Sequence, residues 1–257
     1  MRILCIGDVV GKIGCEFLRS KLPSLKRVKG IDAVICNGEN SADGNGITPV
    51  SAGYLFDSGV DVITLGNHSF RRREIYDYLD NKPYIIRPAN FPEATTPGSG
   101  VCTLDFGRLQ LTVINLIGTM FMDYGTENPF IKIDSILKDI DSRIVIVDFH
   151  AETTSEKLAM GYYLDGRVSA VFGTHTHVQT SDERVLENGT GYITDLGMTG
   201  PLNSVLGVNP ENSIMKFKTG MPVRFDLKKG DCKLECVIFE VDDKSGNTIS
   251  AERLRIV

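Results

Sequence analysis

All four histidines of this 257-residue chain stand just beyond short apolar runs that read as strands. Run 62–65 leads into Gly66-Asn67-His68, run 144–147 into Asp148-Phe149-His150, and run 170–172 into Gly173-Thr174-His175-Thr176-His177. Two further runs end in oxygen donors, 3–6 in Gly7-Asp8 and 33–36 in Asn37-Gly38-Glu39-Asn40. In open α/β sheets, ligands bind at the carboxyl ends of the strands. Taken singly, these residues have ordinary uses. An Asp after a strand caps a helix or turns the chain, and a lone His is commonly a hydrogen-bonded core residue. Accidental placement of every histidine at a strand end is the harder reading. The His175-Thr176-His177 pair adds weight, because residues i and i+2 on an extended segment point the same way, as chelation requires.

The donor set comprises two carboxylates (Asp8, Glu39), two amides (Asn40, Asn67) and three imidazoles besides His68. That exceeds what one tetrahedral ion takes and suits two metals. Two ions roughly 3.5–4 Å apart clamp the attacking and leaving oxygens of phosphoryl transfer. Hard oxygen donors mixed with imidazole suit Mn or Fe, and Zn is compatible; no cysteine is among these donors. Other chemistries fail on detail. Gly7–Lys12 reads G-x3-G-K followed by Ile13, which is not a P-loop. The same glycines do not form G-x-G-x-x-G, and no G-x-S-x-G nucleophile elbow occurs.

Alternating strands and helices must position these groups. The pattern predicts strands over 3–6, 33–36 and 61–65. Helices are predicted over 16–28, with Phe17, Leu18, Leu22 and Leu25 on one face, over 49–58 and near 72–79. A hairpin of 101–106 with 110–116 turns at Gly107-Arg108; strand 144–149, a helix from about Thr154 and strand 168–172 follow. The last third is β-rich, with strands expected over 191–194, 223–227, 233–241 and 248–256. No linker, repeat or low-complexity stretch divides the chain. The expectation is one α/β domain over 1–257, with two sheets face to face and helices outside.

Composition narrows the partners. With 42% hydrophobic and 24% charged residues and a net charge of −5, the chain is neither disordered nor equipped to coat duplex nucleic acid. No apolar run approaches the roughly 18–20 residues of a membrane span, and the N-terminus does not read as a signal peptide. No membrane partner and a cytoplasmic location are therefore expected. Of six cysteines, Cys5 and Cys36 lie inside apolar runs as small core hydrophobes, and Cys232 and Cys236 form a lone C-x3-C.

The motifs G-D-x-x-G at 7–11, N-G-E-N at 37–40, G-N-H at 66–68, D-F-H-A-E at 148–152 and G-T-H-T-H-V-Q-T at 173–180 resemble those of calcineurin-like metallophosphoesterases. More closely, they resemble the YmdB-type bacterial phosphodiesterases. Arg87-Pro88-Ala89-Asn90-Phe91-Pro92, Thr154-Ser155-Glu156-Lys157 and the 193–200 stretch match as well, so the resemblance runs in order over essentially the whole chain. It implies a four-layer α/β/β/α sandwich around two metals. Glu39 would bridge them; Asp8, Asn40 and His177 would complete one site, and Asn67, His150 and His175 the other. His68 would protonate the leaving oxygen or stabilise charge on the phosphoryl group. The wider superfamily has D-x-H in its first motif, whereas Val10 stands at that histidine position here. Asn40 would compensate, and the added oxygen character favours Fe or Mn, with Zn and Mg compatible. The implied reaction is hydrolysis of small phosphodiesters, notably 2′,3′-cyclic nucleotides, by a metal-bridging hydroxide. Homo-oligomerisation is implied too.

Two alternatives share these residues. A phosphomonoesterase or protein phosphatase would use the same centre, and a metal-binding regulatory scaffold would act through protein or RNA partners. The intact donor set together with His68 favours catalysis. Arg71-Arg72-Arg73 reads more readily as a solvated helix turn than as a substrate contact. The 117–129 segment, with Met120, Phe121, Met122 and Tyr124, reads more readily as packing than as cleft lining. No substrate-binding residue is assigned.

Overall fold

Strand β1 (Arg2–Ile6) and the two-residue β2 (Asp8–Val9) lead into helix α1 (Gly11–Lys29), in a computed structural model that describes residues 1–122 and 124–257. Asp123, within the 117–129 segment, lies outside the described residues. Next come β3 (Ala33–Asn37), α2 (Pro49–Asp57), β4 (Val62–Thr64), a 3₁₀ turn (Arg73–Ile75), α3 (Tyr76–Asn81) and β5 (Ile85–Ile86). The middle holds β6 (Val101–Asp105), β7 (Gln110–Ile117), α4 (Pro129–Lys138), β8 (Ile144–His150) and α5 (Thr154–Tyr163). Then follow β9 (Ala170–Thr174), β10 (Arg184–Val185), β11 (Gly191–Ile193), β12 (Met198–Pro201), α6 (Pro210–Thr219), β13 (Cys232–Val241) and β14 (Thr248–Ile256).

The strands form two sheets, one ordered β2-β12-β13-β1-β3-β4-β5 with β14 also pairing to β13, the other β10-β11-β9-β8-β7-β6. Strands β1, β3, β4 and β5 are mutually parallel, as are β7, β8, β9 and β11. Their carboxyl ends therefore share one rim, and the expected active residues lie there.

Period-2 alternation sorts the side chains into layers. On β1, Leu4 and Ile6 pack under α1 and α2, while Ile3 and Cys5 face the second sheet. On β8, Ile144 and Ile146 face the first sheet, while Val145, Val147 and Phe149 pack against the α4 and α5 side. Both faces of each central strand are buried, which is why these strands read as unbroken apolar runs. Each fully buried aliphatic side chain contributes roughly 1.5–3 kcal/mol relative to exposure. The result is the expected α/β/β/α sandwich, and no helix among the described residues is long and apolar enough to cross a membrane.

Local signals set the helix ends. Thr48 and Ser51 form a capping box that flanks Pro49 in the first turn of α2. Thr153 caps α5, and Asn128 caps α4 with Pro129 at its start. Gly30 ends α1 with φ +62°, after Lys26, Arg27 and Lys29 in the last turn.

Three departures from the sequence pattern have physical causes. Helix α1 begins at Gly11 rather than residue 16, because its first turns approach the first sheet through glycines instead of apolar side chains. A Cβ on Gly14 would lie 2.5 Å from the Thr199 carbonyl oxygen. The 223–227 run is not a strand: it lacks a neighbouring sheet edge, and Leu227 makes only an isolated bridge to Val208 before packing onto Gly11 and Gly44. Helices α4 and α6 lie where the pattern predicted no element. In α6 only Ser213 is buried, so no apolar stripe marks it.

Candidate metal centre

The first sheet supplies the oxygen donors. Asp8 lies on β2, Glu39 and Asn40 follow β3, and Asn67 and His68 follow β4. The second sheet supplies imidazoles, with His150 ending β8 and His175 and His177 following β9. Asp8 and His150 are fully buried, Glu39 is 1% exposed, and Asn67 and His68 are half-buried. The rim closes tightly enough that glycine is required at position 66, where a Cβ would lie 2.3 Å from the His150 ring.

Two groupings emerge. In the first, His150 Nε2 lies 3.1 Å from Glu39 Oε1, 2.8 Å from Asn67 Oδ1 and 3.1 Å from His175 Nδ1. Ligand atoms of Glu39, His150 and His175 all fall within 4.8 Å of one another. In the second, His177 Nε2 lies 3.5 Å from Asp8 Oδ1 and 3.2 Å from Asn40 Nδ2. Asp8 also reaches the first grouping, since its Oδ2 accepts the His175 backbone N–H at 3.1 Å. Glu39 Oε2 accepts the His68 N–H at 2.8 Å.

Proton positions follow from the partners. The Thr174 hydroxyl donates to Asp148 Oδ1 at 2.7 Å, so it accepts from His150 Nδ1 at 2.8 Å. His150 therefore turns Nε2 toward the cluster. His175 places Nε2 2.9 Å from Glu152 Oε2 and keeps Nδ1 for the cluster. His177 donates Nδ1–H to the Leu206 carbonyl at 3.2 Å, again leaving Nε2 inward. His68 Nδ1 lies 2.7 Å from Asn40 Oδ1. For Asn40 to offer that oxygen to the Asp8–His177 side, its amide turns over and the two ends exchange places.

Burial and charge oppose each other throughout. Burial alone would raise the Asp8 pKa, but the charge and hydrogen bond of His177 outweigh it and hold the carboxyl well below its ordinary value. Glu39 is likewise lowered: His150 overrides burial. Burial would lower His150, yet Glu39 pushes it up to about 9. Burial, reinforced by the His150 charge, drives His175 down to about 3. Burial also lowers His68. Asp148, buried beside Thr64 and Thr174, is pushed up to about 7 by desolvation.

This donor set fits cations. Asp8 and Glu39 are buried anions whose cationic neighbours among the described residues are imidazoles, with no lysine or arginine paired to either. A buried carboxylate needs a compensating positive charge, and several convergent lone pairs point to metal.

Comparison with known proteins agrees. A family model described as YmdB-like protein matches residues 4–254. The chain belongs to the YmdB-like family. It is 46% identical over 258 residues to the 2′,3′-cyclic-nucleotide 2′-phosphodiesterase of Bacillus subtilis strain 168, spanning 100% of this chain and 97% of that protein. Among solved structures, a novel phosphatase from Mycoplasma pneumoniae superposes with a TM-score of 0.96 at 38% identity, covering 100% of this chain and 93% of the other. A hypothetical protein from Thermus thermophilus gives 0.94 at 38% identity, covering 100% and 99%. The fold of this YmdB-like chain is thus that of the metallophosphoesterases.

In this family member the eight candidate residues converge on one rim, but one geometric expectation fails. His175 and His177 are not on an extended segment pointing the same way. Strand β9 stops at Thr174, and φ is +102° at His175 and +61° at His177, so one ring joins Glu39 and His150 while the other joins Asp8. Left-handed non-glycine residues cost roughly 1–3 kcal/mol each and need support. Asp195 provides it, accepting the Thr176 N–H at 3.2 Å and hydroxyl at 2.7 Å, while Lys157 pairs with the same carboxylate at 2.7 Å.

The sequence reading missed Glu152, Asp148, Asp195 and Lys157; their place in the quoted motifs was the available signal. The 117–129 segment divides: Met122 packs in the core with Phe149 and Ile133, Phe121 is exposed, and the Tyr124 hydroxyl accepts from Asn67 Nδ2 at 3.1 Å. Of the three arginines, Arg72 braces the loop after Asn40 by donating to the Asn45 carbonyl at 3.1 Å; Arg71 and Arg73 are exposed.

Proposed function

We propose that this chain is a metal-dependent phosphodiesterase acting on small phosphodiesters, with 2′,3′-cyclic nucleotides as the substrate class. The observation that carries the reading is the pair of buried carboxylates, Asp8 and Glu39, facing three inward imidazole nitrogens with no lysine or arginine partner among the described residues. The name of the Bacillus subtilis relative supports the substrate class. Glu39 would bridge two metals; Asp8, Asn40 and His177 would hold one, and Asn67, His150 and His175 the other. Fe or Mn suits the oxygen-rich set best. Bound cations supply Lewis acidity, acidifying a water and neutralising phosphoryl charge.

The chain's own residues do the rest. Glu152 and Thr174 fix the ring nitrogens of His175 and His150. His68 delivers a proton to the leaving oxygen. Burial lowers the His68 pKa, and a bound phosphate anion would favour the protonated ring. Water adds at phosphorus, the bond to the 2′ oxygen breaks, and a nucleoside 3′-phosphate leaves.

The whole chain forms one such catalytic domain in this reading, supported by the N-terminal β1 pairing with β13 near the C-terminus. Six free thiols fit a reducing, cytoplasmic setting. Self-association fits the exposed apolar residues Ile214, Phe217 and Met221 on and after α6. The test is turnover of a 2′,3′-cyclic nucleotide with added Mn²⁺ or Fe²⁺, against a phosphomonoester. Release of a 3′-phosphate supports the reading. Preferred phosphomonoester cleavage makes the chain a phosphatase, and no turnover by metal-loaded protein makes it a scaffold.

A further inference from the structure

Arg87 follows β5 at the edge of the first sheet and is only 2% exposed. Its Nη1 donates to the adjoining Pro88 carbonyl at 2.9 Å, and its Nε is sealed from solvent with no acceptor among the described residues. No carboxylate among the described residues forms an ion pair with it. Lys157 is equally buried, yet Asp195 meets its charge at 2.7 Å. An arginine stays charged even when buried, so an unmatched guanidinium is strongly unfavourable unless something supplies the counter-charge.

The guanidinium lines a pocket of about 400 Å³ between the 97–100 turn and α4. That volume falls in the range of small-molecule sites, roughly 300–1,000 Å³. Lys132 on α4 adds a second positive charge, Ser135 a hydroxyl and Ile136 an apolar wall. The acids at the rim, Glu93 and Asp139, are both solvent-exposed, and Glu93 is engaged by Lys132 at 3.3 Å. Glu93 attracts the Arg87 charge through space but burial outweighs it, and neither acid forms an ion pair with the guanidinium.

We propose that the Arg87 pocket is a second ligand site, which takes a small amphipathic anion through its phosphate or carboxylate group. The terminal N–H groups of the Arg87 guanidinium meet such an oxyanion, while Nε, sealed from solvent, takes no part. An entering anion also competes for Lys132 with Glu93 at 3.3 Å and Glu127 at 3.6 Å, while the ligand body rests on Ile136. The assignment is independent of the metal centre.

The test is thermal unfolding of the purified full chain with inorganic phosphate or acetate, in wild type, Arg87→Met and Ser135→Glu. Wild type should gain roughly 2–4 °C at several-fold excess over Kd, and the more effective anion identifies the oxyanion class. Arg87→Met should unfold at or above the wild-type temperature without anion, since it removes an unmatched charge, and should lose the shift. Ser135→Glu, on an exposed helix position, places a carboxylate at the rim and should also lose the shift; it decides the matter if Arg87→Met folds poorly. Anion bound at the metals is common to all three proteins, so the difference reports this pocket. No shift in wild type with either anion, or a full shift retained in either variant, overturns the proposal.

Discussion

Every carboxylate and amide proposed to hold metal comes from the first sheet, while three of the four histidines come from the second. The two contributions are also built differently. Glu39 and Asn40 follow β3 directly, and the Glu39 N–H is held by Asn37 Oδ1 at 3.2 Å. On the second sheet, His150 is the last residue of a strand, but His175 and His177 ride a left-handed loop held by Asp195. An anionic half set directly at strand ends therefore faces an imidazole half whose geometry depends on supporting residues. Substitutions in the first half should abolish the centre, whereas those behind the second should loosen it.

The largest effect is expected from Glu39→Gln. It removes the proposed bridging carboxylate, so metal content should fall at both sites and turnover should drop to background. Elemental analysis and the cyclic-nucleotide assay on one preparation check this. Full metal content in that variant would show that the anionic half is not the anchor. His68→Ala belongs to the same half but should behave differently. Metal stoichiometry should hold, while kcat falls roughly 10²–10⁴-fold, the range for losing a general acid. Lost metal in His68→Ala would instead recast His68 as a ligand.

The anionic half was the more legible from sequence for a physical reason. Short parallel strands buried on both faces give apolar runs that end abruptly, and the residue beyond each end must be at the rim. Asp8, Glu39 and Asn67 follow from that rule alone, and in the imidazole half so does His150. The 175–177 loop did not, because an i, i+2 pair has no built-in sign of a left-handed backbone. Its cause is Asp195, 19 residues from Thr176, and the Lys157–Asp195 pair spans 38 residues. Contacts of that separation leave no periodicity in the chain. The start of α1 escaped for a related reason, since close approach there is marked by Gly11 and Gly14 rather than by apolar spacing.

Asp195→Asn tests whether the imidazole half needs its brace. Breaking a buried ion pair on one side costs about 3–5 kcal/mol, because Lys157 is left charged and unmatched. Thermal unfolding should register that loss. Residual metal should be depleted, since the His175 and His177 backbones are no longer held. Replacing both partners, as Lys157→Met with Asp195→Asn, should recover much of the stability but not the metal. Recovery of both would make the pair structural only. A smaller effect is expected from Glu152→Gln, which weakens the partner of His175 Nε2 without removing a ligand; loss of such partners lowers metal affinity roughly 10–100-fold. Metal titration of the chelator-treated protein measures it, and an unchanged affinity would mean that Thr174 and Asp195 suffice.

The smallest effect probes how one half sets the charge of the other. Without metal, His150 is pushed up to about 9, with Glu39 outweighing burial, against roughly 6.5 in an unfolded chain. A raised folded-state pKa contributes stability that is fully present below the unfolded value and is lost as pH rises through the folded one. Chelator-treated protein should therefore lose this increment between about pH 6.5 and 9. Glu39→Gln removes the carboxylate that raises His150, so its unfolding midpoint should be flatter across the same window. Metal-loaded wild type should be flat as well, because coordination needs neutral imidazole and displaces the proton. Equal slopes in all three preparations would mean that the Glu39–His150 contact, 3.1 Å across the junction of the two sheets, does not control the imidazole charge.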